Sequence, residues 1–426
     1  MKSPARRYYF TISALLFLFF FAWSSTYSLF ASWLGHTLHF DSMITGFVFT
    51  ANAIAALIFQ PVYGFIQDRL GTSKKLLVWV GVMLVLCTPV MGRIYPWLLS
   101  QSLSIGMTVG AIYLAVSMFA GVGVVESYSE RAARNAGFEF GGARLWGSVG
   151  WGLGTLVAGR FEIMPDLPFY ACSAAGVVFL FVLASLNDGS LLVKDKPKQA
   201  QQISSLGQSF VLFKQGDFWK MTVFLFGISG LYFLFDQQFQ NYYSTFFEPG
   251  QGARAFSMLF AAQTLTETIL LLFSPFIVRT LGSRNSMLLC GALMGLRLLG
   301  CSLINDVWFL SACQLLRGVE IPILLVAVFK YINGVFDARY SSTIYLISFQ
   351  FAQQFYSICF SAATGYGFAS IGYQNTYLVL AGSALLFTLW GIFMLPRIPA
   401  AAWTPRESAD TTNASSTQSV AGAQTT

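Results

Sequence analysis

The chain has 426 residues, of which 55% are hydrophobic and only 10% are charged. Soluble proteins carry about 25% charged residues, so this composition indicates a polytopic membrane protein and excludes an ordinary soluble enzyme. The net charge of +7 does not indicate a nucleic-acid partner, because the lysines and arginines are spread over short loops between apolar runs. That distribution is typical of membrane topology.

Twelve apolar runs follow one another along the chain, each long enough to cross about 30 Å of hydrocarbon. The first run is preceded by basic residues, but it is too long for the hydrophobic region of a signal peptide, so we expect a retained helix. The predicted spans are 8–34, 43–66, 76–97, 100–125, 138–160, 167–187, 218–246, 255–278, 286–305, 308–333, 342–367 and 374–396.

These spans fall into two sets of six, which predicts an all-α membrane protein built from two pseudo-symmetric six-helix bundles, 1–187 and 218–397. The polar segment 188–217 between them is predicted to be a cytoplasmic linker. The stretch 398–426 is rich in Ser, Thr and Ala, and we expect a disordered cytoplasmic tail.

The loop charges predict the orientation, because cytoplasmic loops carry an excess of Lys and Arg. Three basic residues (Arg93, Arg160 and Arg254) fall in the loops of one side, whereas the termini, the central loop and the remaining loops of the other side carry seventeen. We therefore expect both termini in the cytoplasm. In a bacterium, the protein would lie in the inner membrane.

A few charged residues interrupt the apolar runs. A charge near the centre of a membrane helix costs about 2.5 to 3.5 kcal/mol, so such residues face protein or water and usually mark a pathway. Arg317 and Glu320 are three positions apart, which places them on one helix face. The others are Asp236, Glu267 and Arg297 inside runs and Glu126 and Arg144 at their ends.

An internal repeat follows the second span of each set. Residues 64–71 and 278–284 each read as a tight glycine turn with cations, which favours duplication of a six-helix unit. The first turn resembles the conserved cytoplasmic loop of the major facilitator superfamily, and this resemblance assigns a conformational role to Gly64, Asp68, Arg69 and Gly71.

Longer motifs narrow this resemblance. The stretch NAGFEFGGARLWGSVGW (135–151), together with Glu126, the motif FDQQF (235–239) and VFKY (328–331), resembles the oligosaccharide:proton symporter family, the group of the lactose, raffinose and sucrose permeases. The stretches 66–68, 144–148 and 341–344 are more similar to the sucrose branch. The resemblance covers nearly the whole chain except the central loop and the tail.

The resemblance implies a sugar site. Glu126 and Arg144 would bind sugar hydroxyls through charge-assisted hydrogen bonds, and Trp151 would stack on a pyranosyl ring. Asn241 and Glu267 would contact the sugar from the second half. The alternative interpretations are a surface ion pair for Glu126 with Arg144 and a packing or interfacial tryptophan for Trp151.

The resemblance also implies proton coupling in the second half, through Glu320, Arg297, Arg317 and Asp236. Three carboxyls, counting Glu267, face two guanidinium groups, so one added proton neutralises the set. The alternatives are a static buried pair of Glu320 with Arg317 and a structural hydrogen-bonding role for Asp236. Arg317 stands where the lactose permease has a histidine, and an arginine cannot relay a proton.

The expected function is therefore proton-coupled uptake of a disaccharide or small oligosaccharide, with sucrose first and galactosides or an uncoupled sugar facilitator as alternatives. A membrane enzyme is disfavoured, because the chain has no GxSxG or HExxH motif and its only histidines are His36 and His39. No cofactor or metal is expected beyond the proton. The expected partners are sugar, proton and lipid bilayer, and one chain is expected to function as a monomer.

Overall fold

The computed structural model of the protein describes residues 3–70, 73–186, 212–336 and 344–397, and these residues are helical with short connections. The predicted all-α class is therefore confirmed. The helices of the first half are α1 (Ser3–Tyr27), α2 (Phe30–Leu38), α3 (Ser42–Leu70), α4 (Lys75–Val85), α5 (Cys87–Gln101), α6 (Leu103–Ala136), α7 (Phe140–Ala158) and α8 (Leu167–Ala184). Single π-helical turns interrupt α5 at Val90–Ile94 and α6 at Ala115–Phe119.

The second half begins with a 3₁₀ turn, Leu212–Lys214. Its helices are α9 (Gly216–Ser244), α10 (Gly252–Leu281), α11 (Ser283–Leu303), α12 (Val307–Val335), α13 (Ala352–Ser370, preceded by the π-helical turn Leu346–Phe351) and α14 (Gly372–Met394). Most of the predicted linker 188–217, the tail 398–426 and most of the sucrose-like stretch 341–344 lie outside the described residues.

Within the described residues, nine helical segments are long and apolar enough to cross a membrane, or ten when the bent pair α4–α5 is counted as one span. The other two predicted spans correspond to α7 and to the segment that ends in α13. Both are helical but less apolar than the others. Glycines and Arg144 lower the hydropathy of α7, and glutamines and serines lower that of the segment ending in α13.

Several spans differ in detail from the prediction. The first is broken after Tyr27 and resumes at Phe30, and the third bends by 45° between α4 and α5. Pro89 explains the bend, because its ring clashes with the carbonyl four residues earlier, at Val85, where α4 ends. Glu126 lies inside α6 rather than at its end, since the helix continues to Ala136.

The repeated turns are only partly as predicted. Gly282, after α10, has φ of +82°, a conformation that glycine adopts without steric cost. Gly64, however, lies within α3 and is not part of a turn. The helix extends to Leu70, so the part of the motif from Gly64 to Leu70 forms its last two turns.

The two halves meet through α3 against α13 and through α7 against α10. A side chain added at Gly46 would collide with the backbone of Ser361, and one added at Gly365 would collide with that of Ser42. Gly159, just after α7, is equally close to Ser257 of α10. These contacts lie at one end of the molecule, which we call the closed end.

Candidate functional site

A cavity of about 570 Å³ lies between the two halves. Its walls combine aromatic rings with amide and charged side chains, the composition expected of a site for a polar small molecule. At the closed end the lining residues Phe30 and Phe256 are 1% and 3% exposed. Farther from that end, the side chains of Glu126 and Arg144 are 37% and 33% exposed, so the cavity opens in their direction.

Glu126 and Arg144 are paired in the first-half wall. Arg144 Nε donates a hydrogen bond to Glu126 Oε1 at 2.6 Å, joining α6 to α7. The guanidinium carbon of Arg144 also lies 4.1 Å from the ring centroid of Phe20, a cation–π contact from α1. Both residues line the cavity, so the pair lies in the cavity wall.

Trp151 lies beside this pair and lines the cavity. Its backbone carbonyl accepts a hydrogen bond of 2.7 Å from Ser24 Oγ, which fixes α7 against α1. Gly150 and Gly154 permit this approach, because a side chain at either position would collide with the backbone of α1. The Trp151 ring packs edge to face on Trp23, with 5.2 Å between the centroids.

On the opposite wall, Arg317 of α12 pairs with two acidic residues from other helices. Its Nη2 contacts Asp236 Oδ2 of α9, and its Nη1 lies 3.7 Å from Glu267 Oε2 of α10. Gln263 Nε2 also donates to Glu267 at 3.0 Å. Asp236, Glu267 and Arg317 line the cavity, so this cluster faces the first-half pair across it.

Glu320 and Arg297 form a second layer behind that cluster. Arg297 Nη2 lies 3.3 Å from Glu320 Oε2, and both side chains are fully buried. The guanidinium group also lies 4.4 Å from the Phe235 ring centroid. Among the described ion pairs, Glu320 is not paired with Arg317. Glu320 pairs with Arg297 of α11, and Arg317 pairs with Asp236 of α9.

Asn241 lies near the closed end, not among the residues that line the cavity. Its Oδ1 accepts a hydrogen bond of 2.6 Å from Ser32 Oγ of α2. Gln238 Nε2 of the same helix donates to the Ser42 carbonyl at 3.0 Å. The side chains of this stretch of α9 therefore join the two halves.

Gln240 strengthens the same connection. With its amide oxygen facing α2, it accepts hydrogen bonds from the backbone amides of Ala31 at 3.2 Å and Ser32 at 2.6 Å. These amides belong to the first turn of α2, where N–H groups lack partners within the helix. Sequence reasoning missed Gln240 because nothing in the sequence indicates that a helix begins opposite it.

The predicted conformational loop is described only in part. Gly64 is exposed at the helix surface, and the Arg69 guanidinium group stacks 4.3 Å from the Phe65 ring centroid. The Asp68 side chain and Gly71 lie outside the described part of the structure. Across the described ranges, no cluster of three or more His, Cys, Asp or Glu residues is arranged to hold a metal ion.

A central cavity between two helical halves is the arrangement expected of a membrane transporter. Among solved structures, the chain resembles the nucleoside transporter NupG (TM-score 0.76, 16% identity, 92% of this chain and 99% of the other). It also resembles the peptide transporter POT in complex with sulfate (TM-score 0.67, 12% identity, 92% and 94%). The predicted major facilitator fold is thereby confirmed.

The family described as LacY proton/sugar symporter matches residues 2–406, and the chain belongs to that family. It is 35% identical to the sucrose permease of Escherichia coli over 405 residues, covering 93% of this chain and 96% of the relative. It is 36% identical to the melibiose permease of Enterobacter cloacae subsp. cloacae, covering 89% and 90%. It is also 36% identical to the lactose permease of Citrobacter freundii, covering 86% and 89%.

Proposed function

We propose that the protein takes up a disaccharide or small oligosaccharide together with a proton by alternating access. Sucrose is the first candidate, and the galactosides lactose, melibiose and raffinose are the second. The observation that supports this most strongly is the pairing of Glu126 with Arg144 beside Trp151, opposite the cluster around Arg317, across one cavity. A transporter, rather than an enzyme, fits the permeases to which the chain is similar.

The sugar would bind through ring stacking and charge-assisted hydrogen bonds. A pyranosyl ring presents axial hydrogens that suit the face of Trp151, and its hydroxyls suit the carboxylate of Glu126 and the guanidinium fork of Arg144. Glu267 would bind hydroxyls from the opposite wall. We assign Asn241 to closure rather than to sugar binding, because its amide oxygen is already bonded to Ser32.

The proton would bind within the carboxyl set of the second half. Asp236, Glu267 and Glu320 face Arg297 and Arg317, so one negative charge is in excess when all five groups are ionised. The excess charge lies in the cavity-lining cluster, where Asp236 and Glu267 share Arg317, and adding one proton to the set neutralises it. Glu320 is our candidate for the carrier, since its buried partner Arg297 competes with the proton for the carboxylate.

The closed end would face outward. That end carries His36, Arg160 and Arg254, on the side with few basic residues, so the positive-inside rule assigns it to the exterior. The conformation described here is then inward-facing, with both termini and the central linker in the cytoplasm and the protein in the inner membrane. We propose a functional monomer, since one chain contains the whole cavity.

An uncoupled sugar facilitator is the second candidate for the transport mechanism. It is favoured by Arg317, whose guanidinium group stays charged at any relevant pH and cannot itself relay a proton. The difference between the two candidates is therefore whether sugar entry carries a proton.

Uptake of radiolabelled sucrose, lactose, raffinose and melibiose in weakly buffered cells would distinguish them. Symport predicts sugar entry with external alkalinisation, and loss of sugar accumulation in Glu320→Gln. Sugar entry without a pH change would identify a facilitator. Undiminished uptake by Arg144→Ala would refute the sugar site, and release of chemically altered sugar inside vesicles would refute transport as the activity.

A further inference from the structure

Two buried glutamines extend the charged cluster of the second half into the protein interior. Gln314 Nε2 of α12 donates a hydrogen bond of 3.1 Å to Gln263 Oε1 of α10, and Gln263 Nε2 donates one of 3.0 Å to Glu267 Oε2. Gln263 and Gln314 are each 1% exposed. The three side chains therefore form one hydrogen-bonded series that ends on the carboxylate of Glu267.

Only one oxygen of Glu267 takes part in these contacts. Gln263 Nε2 and Arg317 Nη1 both approach Oε2, at 3.0 and 3.7 Å. Oε1 accepts no hydrogen bond from any residue that the structure describes, and the Glu267 side chain is 35% exposed in the cavity wall. Because each carboxylate oxygen is an acceptor, Oε1 is free to bind a hydroxyl of a sugar in the cavity.

The direction of the series follows from the ionised carboxylate. A carboxylate only accepts hydrogen bonds, whereas an amide group donates from its nitrogen and accepts at its oxygen. Gln263 must therefore turn its nitrogen to Glu267 and its oxygen to Gln314. Gln314 must then turn its nitrogen to Gln263. Each amide has a single productive orientation, and together they fix the position of the carboxylate.

Close packing of α12 on α10 makes these contacts possible. Gln314 and Arg317 are three residues apart on one face of α12. Gln263 and Glu267 are four residues apart on one face of α10. A side chain added at Gly318 would lie 2.8 Å from the backbone oxygen of Gln263 and 3.3 Å from the backbone nitrogen of Glu267. Glycine at this position lets the helices approach closely, so that side chains of both reach the Glu267 carboxylate.

A purely structural explanation is that the glutamines only join α10 to α12, since polar side chains often link membrane helices. The series is incomplete for that purpose. Gln314 Oε1 is buried and has no hydrogen-bond partner in the described part of the protein. Apolar side chains at both positions would leave no buried oxygen unpaired, and such paired replacements are close to neutral or stabilising. Stability alone therefore does not account for the two amides.

We infer that Gln263 and Gln314 are positioning residues for sugar binding, which hold Glu267 through its Oε2 and leave its Oε1 free to accept one sugar hydroxyl. This inference rests on the proposed function, in which Glu267 binds the sugar. Neither glutamine needs to touch the sugar. Gln314 acts through Gln263, and Gln263 acts through Glu267, so their effects should follow that order.

The test combines calorimetric titration with sucrose and thermal unfolding, both on the purified full-length protein. Methionine is unbranched like glutamine, and its thioether is only a weak hydrogen-bond acceptor. Gln263→Met should weaken sucrose binding about threefold to tenfold, the effect of one neutral hydrogen bond. Gln314→Met should weaken it less, because Gln263 still bonds to Glu267.

Dependence on Glu267 distinguishes positioning from packing. In a Glu267→Gln background, Gln263→Met should change the remaining affinity by less than about twofold, because the carboxylate that Gln263 positions is gone. Gln314→Met should likewise add little to Gln263→Met. A packing role predicts instead that the effects add, since the contact between the helices does not require a charge on Glu267.

The double variant Gln263→Met with Gln314→Met separates affinity from stability. Both amides are removed together, so neither is left buried without its partner. The melting temperature should equal or exceed that of the unaltered protein, whereas the affinity for sucrose should be about threefold to tenfold lower. In sugar uptake, KM should rise by a similar factor with the maximal rate unchanged.

Gln251→Met is the matched control. Gln251 precedes the first turn of α10, and its Nε2 donates to Glu248 Oε2 at 3.1 Å. This is the same type of bond at an exposed position outside the cavity lining. Its loss should leave both sucrose affinity and melting temperature unchanged.

Unchanged sucrose affinity in Gln263→Met and in the double variant would overturn the inference. Additive effects of Gln263→Met and Glu267→Gln would also overturn it and assign the glutamines to helix packing. Lactose, raffinose and melibiose replace sucrose in the titration if the unaltered protein binds one of them instead. Failure of the unaltered protein to bind any of the four sugars would refute the proposed function itself, and the positioning role with it.

Discussion

Arg297 Nη2 lies 3.3 Å from Glu320 Oε2, and neither side chain has any exposed surface. The pair joins α11 to α12 in the interior of the second half. Removing an ion from water costs several kcal/mol, which only a close partner offsets, so each residue depends on the other. The pair therefore has two consequences that experiments can separate, one for stability and one for coupling.

The stability consequence is strongest when one partner is lost. Arg297→Met should lower the free energy of unfolding by about 3 to 5 kcal/mol, because it leaves the Glu320 carboxylate buried and unpaired. The double variant Arg297→Met with Glu320→Gln should recover most of this loss. Thermal unfolding of the purified protein measures both effects.

The control for this prediction is the exposed pair of Arg93 with Asp166, joined at 2.8 Å with side-chain exposures of 65% and 30%. Arg93→Met should cost at most about 1 kcal/mol, as solvated pairs do. Equal melting temperatures for Arg297→Met and the unaltered protein would contradict a mutually dependent buried pair.

Arg317 should be required for accumulation of sugar because it holds two acidic residues from different helices. Arg317→Gln leaves Asp236 and Glu267 without their shared cation, and we expect accumulation to be lost. Removing one negative charge as well, in Asp236→Asn with Arg317→Gln, should restore part of the uptake. The measurement is a double-mutant cycle on steady-state accumulation, and strict additivity of the two changes would contradict coupling between them.

The Arg144 site should not tolerate lysine. Arg144 Nε is used by Glu126, so the guanidinium fork can hold Glu126 and still donate to sugar hydroxyls through its other nitrogens. Lysine keeps the charge without the fork. We expect Arg144→Lys to weaken sugar binding about tenfold to a hundredfold, the loss of one charged hydrogen bond.

Calorimetric titration measures this loss of affinity. Arg134→Lys is its control, because Arg134 makes an exposed pair with Glu130 on the last turns of α6. Equal sugar affinities for Arg144→Lys and Arg134→Lys would contradict a role for the guanidinium fork.

Glu162, in the loop after α7, should make stability depend on pH. Burial raises the pKa of its carboxyl, although the Ala253 amide and His36 act in the opposite direction. A raised pKa means that the folded protein binds the proton more tightly than the unfolded chain, so the contribution to stability is present at low pH. It is lost as the pH rises through the raised pKa.

Glu162→Gln cannot ionise and should therefore unfold at a higher temperature than the unaltered protein at about pH 8. This difference should disappear towards about pH 4, below the ordinary pKa of glutamate. Melting curves across this range provide the measurement, with Glu248→Gln in an exposed loop as the control. A difference that grows as the pH falls would reverse the assigned direction.

The sequence predicted the class of fold and most of the charged residues because these depend on local composition and on family motifs. Glu126 and Arg144 are 18 positions apart, yet the motif around them identified both. The partners of Arg317 were not predictable, because spacing along one helix shows only which face a residue lies on. Which helix crosses that face, and so brings Asp236 to Arg317, depends on tertiary packing.

The roles of Trp23 and Gln240 also depend on tertiary packing and were not predictable from the sequence. Trp23 stands in a run of phenylalanines, where one more aromatic residue predicts only an apolar helix. Gln240 is a neutral amide one residue beyond a recognised motif. Their significance comes from what lies opposite them, a second tryptophan in one case and the first turn of an interrupted helix in the other.

The bond from Gln240 to the first turn of α2 also bears on the direction of transport. When the closed end separates, the hydrogen bonds from the Ala31 and Ser32 amides to the Gln240 oxygen break, and each group bonds to water instead. The net free energy of this replacement is only about 0.5 to 1.5 kcal/mol per bond. Because these contacts are polar, opening the closed end costs little free energy. We expect the two orientations to be nearly equal in free energy, so that the solute gradients, and not the protein, decide which way the cargo moves.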